Sequence, residues 1–196
     1  MNFELSAEQE ELRANVRRFL AERGAAAPLS ELGLAGLLVP EALGGAGLGM
    51  LELGVVLEEC GRALHPAPFV ASALGATHLL LAAATPAEQG ELLPVLASGE
   101  RRAALLGLAP GASLREVGGR LSGAEAFALE AGGADWLLVA ADGAVYLTDA
   151  HAPGVRIELA ECLDDTRPLF RVALDAAPAR RLGSGDASAS IASALD

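Results

Sequence analysis

Apolar residues recur at helical spacing near the start of the chain. Leu12, Val16, Phe19 and Leu20 lie three or four positions apart, which places them on one face of a helix. Ser6, followed three residues later by Gln9, predicts a capping box at the start of this helix. Gly24 predicts its end, because glycine commonly follows the last helical turn. We therefore expect an amphipathic helix that packs on a core.

Further helices are expected over most of the first hundred residues. They cover residues 30–36, a segment that begins near Met50, residues 69–84, and a segment that ends near Ala97. Thr85, Pro86 and Glu88 give the last one a clear start, with a cap, a proline at the first position and a glutamate at the third. Residues 39–49 are too rich in glycine for a regular element.

The second half of the chain has short apolar runs separated by turn signals. These runs cover residues 103–108, 136–141, 145–147, 155–159 and 169–174. Asp142-Gly143 between two of them predicts a β-hairpin. Strands at this spacing indicate a small antiparallel barrel or sandwich. Residues 186–196 have a helical pattern again.

The predicted fold class is α+β, with an all-α bundle followed by the small antiparallel β unit. We divide the chain into a helical domain at 1–100, a β domain at 101–183, and the start of a further helix at 184–196. The length of 196 residues allows one domain or two small ones.

Charge and cysteine usage exclude several classes of function. The chain has a net charge of −12, and all 14 basic residues are arginines. No basic stripe is present for nucleic acid, and no apolar run reaches the roughly 20 residues that span a bilayer. Cys60 and Cys162 are far apart, which indicates reduced thiols and a cytoplasmic protein without a metal site. The acidic N-terminus is no signal peptide.

Common catalytic motifs are absent. The glycine-rich segment 44–49 fails the dinucleotide-binding pattern, because Met50 stands where a third glycine is needed and no strand precedes it. No phosphate-binding Walker sequence and no GxSxG nucleophile elbow is present. These motifs alone assign no reaction.

Several segments, taken in order, resemble the acyl-CoA dehydrogenase family. They are FELSAEQEEL at 3–12, LGLAGLLVPE at 32–41 followed by GGAGLG at 44–49, LLPVLASGE at 92–100, GGRLSG at 118–123, ADWLLVA at 134–140, and DDTRP at 164–168. The last is similar to a mark of a subgroup that acts on bulky acyl-CoAs such as sterol side chains, and some members of that subgroup work as unequal subunit pairs. The resemblance extends over essentially the whole chain.

This resemblance implies a helical domain, a β domain and a C-terminal helical domain, of which the third is expected to be absent or truncated here. The family uses FAD to remove two hydrogens from an acyl-CoA, and the complete enzymes pass electrons to an electron-transfer flavoprotein. The family's catalytic glutamate lies in the third domain, so no catalytic residue is assigned. We expect a homo-oligomer or a hetero-oligomer with a longer subunit.

The family's flavin contacts map onto two stretches of this sequence. The segment whose threonine binds the flavin ring aligns with residues 105–113, so Leu106, Gly107 and Ser113 are candidate cofactor-binding residues, with Gly107 at the threonine position. A second segment, with a tryptophan and a threonine in the family, aligns with Phe127 and Leu129. Both hydroxyl groups are therefore missing, which predicts weaker flavin binding.

Three interpretations remain open from the sequence. The chain takes part in FAD-dependent α,β-dehydrogenation of an acyl-CoA but is not active alone. Alternatively, it is a non-catalytic structural subunit that binds no flavin and supports an active partner. A third interpretation is a family-shaped fragment without flavin.

Overall fold

The computed structural model describes residues 4–65, 69–108, 112–164 and 166–193. Some predicted features extend beyond these ranges. The start of the first family-like segment, residues 109–111 of the stretch aligned with the flavin contacts, Asp165 of the DDTRP segment, and residues 194–196 of the last predicted helix lie outside the described residues.

The first half of the chain is helical, as predicted. The α-helices are α1 (Ala7–Arg23), α2 (Met50–Arg62), α3 (Thr77–Ala83) and α4 (Pro86–Ala97), and a π-helical segment (Val70–Ala76) runs directly into α3. Three 3-10 turns connect α1 to α2, at Leu29–Leu32, Leu34–Gly36 and Glu41–Leu43. The predicted short helix at 30–36 is thus two 3-10 turns, because Gly33 between them adopts φ 72° and interrupts a helix.

Both predicted helix starts are confirmed at the level of hydrogen bonds. The Ser6 hydroxyl accepts from the Gln9 amide (3.2 Å) while the Gln9 side chain accepts from the Ser6 amide (2.9 Å). Thr85 and Glu88 form the same reciprocal pair before α4. The Gly24 amide closes α1 on the Leu20 carbonyl. The caps at Ser6 and Thr85 each satisfy backbone donors that the first helical turn leaves unpaired.

A buried carboxylate joins α1 to α2. The Glu59 side chain is fully buried, and it pairs with Arg17 of α1 (2.6 Å) and with Arg62 (2.7 Å), whose side chains are about half exposed. Hydrogen bonds from Arg17, opposed by burial, lower the pKa of the Glu59 carboxyl to about 2. The carboxylate is therefore charged wherever the protein is folded at ordinary pH.

Within the described residues, the second half contains eight strands in two four-stranded sheets. They are β1 (Ala103–Leu106), β2 (Ser113–Val117), β3 (Arg120–Leu129), β4 (Trp136–Ala141), β5 (Ala144–Asp149), β6 (Val155–Leu159), β7 (Leu169–Pro178) and β8 (Arg180–Leu182). One sheet has the order β1-β4-β5-β8 and the other β2-β3-β7-β6. Apolar side chains of both sheets form one core cluster between them. Helix α5 (Ser188–Ser193) follows.

The α+β class is confirmed, and two details differ from the pattern. Strands β1 and β4 pair in parallel, whereas all other pairs are antiparallel; a buried apolar run carries no sign of its direction. The apolar runs also missed β2, β3 and β8. The inward positions of β2 and β3 include small or charged residues, and two irregularities interrupt the alternation of β3, so these two strands form no continuous apolar run.

Helices and sheets share one core at the junction of the two halves. A second apolar cluster combines Leu79 and Leu92 of the helices with Ala103, Leu138 and Leu182 of the first sheet. The Ser72 hydroxyl accepts from the Ala103 amide (3.2 Å) where β1 begins. Within the described residues, no helix is both long and apolar enough to cross a bilayer.

Candidate functional site

The end of β1 is tightly packed between the two sheets. Leu106 is fully buried in the core, so its side chain is not available to a ligand. Gly107 has φ 83°, and a Cβ built there would lie 2.0 Å from the carbonyl oxygen of Ala140 in β4. Only glycine fits this backbone, because both the positive φ and the close approach exclude a side chain. A hydroxyl-bearing residue therefore cannot occupy this position in this conformation.

The backbone donor at Gly107 already has a partner. Its N–H donates to Oε2 of Glu125 in β3 at 2.6 Å. Glu125 is only 6% exposed, and this burial raises the pKa of its carboxyl, while the hydrogen bond from Gly107 opposes the rise. The contact links the two sheets at this edge and occupies the amide at the position where the resemblance expects a flavin contact.

The other predicted site residues lie on β2 and β3, on the outer face of the second sheet or near it. Ser113 is exposed at the start of β2 and is paired with Ala124. Phe127 lies at an irregularity in β3 and is 61% exposed. Leu129 is half-buried and is paired with Leu169 of β7. Ser113 and Phe127 are thus exposed and Leu129 is half-buried, whereas Leu106 is fully buried.

This arrangement does not fit the flavin contacts that the resemblance assigns to it. Among the predicted residues, only Ser113 carries a side-chain hydroxyl, and the Gly107 amide is engaged by Glu125. Phe127 offers an exposed ring without a polar group. A flavin ring needs hydrogen-bond partners for its oxygens and nitrogens, and a buried unpaired group costs about 1–3 kcal/mol.

A buried carboxylate at the junction serves the backbone. Glu130, which follows β3, adopts φ 61° and accepts from the amides of Val70 (3.3 Å) and Ala71 (2.8 Å) at the start of the π-helical segment. Arg167 approaches the same carboxylate at 3.5 Å. Burial raises the pKa of the Glu130 carboxyl, although these partners oppose the rise. Glu130 thereby ties the β half to the helical half through the Val70 and Ala71 amides, and Arg167 of the DDTRP segment contacts the same carboxylate from within the β half.

Sequence reasoning missed Glu125 and Glu130. Glu125 could have been found, because a charged residue occurs at an inward position in the alternation of β3. Glu130 could not, because its role depends on a helix start sixty residues earlier in the chain. Glu59 and Glu125 are buried, the Glu130 side chain is 10% exposed, and each of the three accepts internal hydrogen bonds. No group of three or more potential metal-binding side chains is found in the described ranges.

The fold, a helical bundle followed by two sheets, is similar to part of a chain in the crystal structure of the ChsE4-ChsE5 complex from Mycobacterium tuberculosis. That structure is matched at a TM-score of 0.80 over 100% of this chain and 61% of its own chain, at 16% identity. At this identity the likeness establishes the fold alone.

Sequence comparison then identifies the family. Residues 23–100 match the family described as "Acyl-CoA dehydrogenase, N-terminal domain", and the resemblance to the acyl-CoA dehydrogenase family is confirmed. The chain is 38% identical to acyl-CoA dehydrogenase FadE28 of Mycobacterium tuberculosis over 164 residues, which are 80% of this chain and 48% of that protein. It therefore spans about half the length of that relative.

A solved relative agrees with this identification. The "Tcur3481-Tcur3483 steroid ACAD G363A variant" is 33% identical, with a TM-score of 0.77 over 96% of this chain and 59% of its own. The activities of these longer proteins extend to this chain only as proposals.

Proposed function

We propose that this chain takes part in FAD-dependent α,β-dehydrogenation of an acyl-CoA, and that it depends on a longer subunit of the same family for the catalytic base and for most of the flavin contacts. The observation that carries this proposal is that Glu59, Glu125 and Glu130 all accept internal hydrogen bonds. A carboxylate base must reach the proton that it removes. Because these three carboxylates already accept internal hydrogen bonds, we expect the base to come from the partner.

The names of the relatives support the details of this proposal. One relative is a steroid ACAD, which favours a bulky acyl-CoA of the steroid type as the substrate of the assembled protein. One structural neighbour is a two-protein complex, which favours a hetero-oligomer. An electron-transfer flavoprotein is then the expected electron acceptor, and the cytoplasm the expected compartment.

A second candidate function is favoured by the contact between Gly107 and Glu125. In this case the chain is a structural subunit that binds no flavin in any state and supports an active partner. The Glu125 carboxylate already accepts a hydrogen bond from the Gly107 amide at 2.6 Å, so this amide needs no ligand as its partner. The two candidates differ in whether this chain contacts the partner's flavin.

The first candidate predicts activity by complementation. The experiment compares the chain alone, the longer family member that co-purifies with it, and the two together, in oxidation of a steroid-type acyl-CoA with an artificial electron acceptor. We expect no turnover by the chain alone and at least tenfold more turnover by the mixture than by the longer member alone. Equal activity of the mixture and the longer member, despite a stable complex, would contradict catalytic participation.

The two candidates are separated by the flavin spectrum of the complex. If this chain contacts the flavin, the Phe127→Ala variant shifts the flavin absorbance bands of the complex. The matched control is Val117→Ala, an exposed apolar residue of β2 on the neighbouring strand. Unchanged spectra for both variants would favour the structural subunit.

A further inference from the structure

A cavity outside the site described above lies where the helices meet the start of the first sheet. Its volume is about 180 Å³. Its apolar wall is formed by Leu29, Ala35, Phe69, Ala73 and Leu96. An apolar cavity of about 150 Å³ is large enough to hold benzene, so this one has room for a small organic molecule.

Nε2 of His65, a residue that lines this cavity, has no hydrogen-bond partner among the described residues. Nδ1 of His65 lies 2.5 Å from the carbonyl oxygen of Ala25, and a carbonyl can only accept, so Nδ1 carries a proton. In the neutral ring Nε2 is then an acceptor. Nε2 is buried and lacks a partner in the part of the chain that the structure describes. A ligand with a hydroxyl group would satisfy it.

The charged groups on the cavity are both arginines. Arg101 and Arg102 line it, and no carboxylate does. Arg101 has a long ion pair with Asp135 at 3.4 Å, whereas Arg102 has no ion pair among the described residues. In a chain of net charge −12, a cavity lined by two arginines and by no acidic residue is a local positive site, although Asp135 pairs with Arg101 beside it. Guanidinium groups are suited to binding carboxylates.

We propose that this junction cavity binds a small hydroxylated organic acid. Its carboxylate pairs with Arg101 and Arg102, its hydroxyl donates to Nε2 of His65, and its carbon chain contacts Phe69 and Leu96. The site is independent of the proposed dehydrogenase function, because none of its residues belongs to the flavin-aligned stretches. Ligand binding here bridges the helical and β halves, so it also stabilises the folded chain.

The test uses calorimetric titration of the full chain with three probes of nearly equal size, which are 3-hydroxybutyrate, butyrate and 3-hydroxybutyramide. We expect saturable binding of 3-hydroxybutyrate with a Kd of about 1 mM, as seven heavy atoms allow. Butyrate, which lacks the hydroxyl, is expected to bind about fivefold more weakly, and the uncharged amide at least tenfold more weakly. The proposal would be overturned if 3-hydroxybutyrate showed no saturable binding at concentrations up to 20 times the expected Kd of about 1 mM.

Variants locate the binding in this cavity. Arg102→Gln, at an exposed position that tolerates substitution, is expected to weaken 3-hydroxybutyrate at least fivefold. His65→Phe is expected to reduce 3-hydroxybutyrate to the affinity of butyrate while leaving butyrate unchanged. Arg115→Gln, on exposed β2, is the matched control and should have no effect. Equal affinities for the control and both cavity variants would overturn the proposal, whatever the Kd.

Discussion

The Gly107→Ala variant is expected to lose about 3 kcal/mol or more of unfolding free energy. The added Cβ would lie 2.0 Å from the Ala140 carbonyl oxygen and 2.9 Å from its carbonyl carbon. Both atoms belong to the backbone of β4, so no side-chain rotation relieves the contact. To accept the methyl group, β1 must move away from β4 or from Glu125. Urea denaturation followed by circular dichroism measures this loss.

Gly44→Ala is the matched control for the steric part of this effect. Gly44 has nearly the same φ, 84° against 83° for Gly107, but a Cβ added at Gly44 would have no other atom within 4 Å. Its substitution should cost only the strain of a left-handed alanine, about 1 kcal/mol. Equal losses in the two variants would mean that the end of β1 is not packed as described and that a side chain can be accommodated at Gly107.

The Glu59→Gln variant is expected to be less stable than the parent at pH 7 by about 2 kcal/mol, and by less than half of that at pH 3. The folded pKa of about 2 lies below the ordinary value near 4.5, so the charged form stabilises the folded state. This contribution is complete above pH 4.5 and is lost as the pH falls towards 2. The full pKa difference corresponds to about 3 kcal/mol, reduced here because both arginines are half exposed.

An exposed ion pair within α1 gives the control. Glu10 pairs with Arg13 in α1, with nearly half of the Glu10 side chain exposed. Glu10→Gln should change stability by less than about 0.5 kcal/mol at either pH. Urea midpoints at pH 7 and pH 3 provide the comparison. A Glu59→Gln loss that stays constant between the two pH values would show that the lost stability does not come from the carboxylate charge.

The helical half was largely predictable because its signals are local. The capping pairs Ser6–Gln9 and Thr85–Glu88 depend on residues three positions apart, and the structure has both. The Asp142-Gly143 turn is also local, and it connects β4 to β5 with positive φ at both residues. Strand β3 was less visible, because its partner β7 lies about fifty residues later and its apolar positions are interrupted by Ser122, Gly123 and Glu125.

For the candidate site, alignment to the family proposed positions but gave no geometry. Alignment to the family placed Gly107 where the family has a threonine, which explains why a hydroxyl group is missing there. It could not show that the Ala140 carbonyl fills the space beside Gly107, nor that Glu125 takes its amide. Both facts depend on how the two sheets pack. The same holds for Glu130, whose carboxylate meets two backbone amides of a distant helix start.

The most direct test of the central claim is the flavin content of the chain alone. The chain is refolded or expressed with excess FAD, passed through a gel-filtration column, and its visible absorbance is compared with its protein concentration. Because Gly107 has no side chain, its amide is engaged by Glu125, and Leu129 carries no hydroxyl, we expect a colourless protein with well under one flavin per ten chains. One tightly held FAD per chain, in a protein that is folded by circular dichroism, would contradict the account.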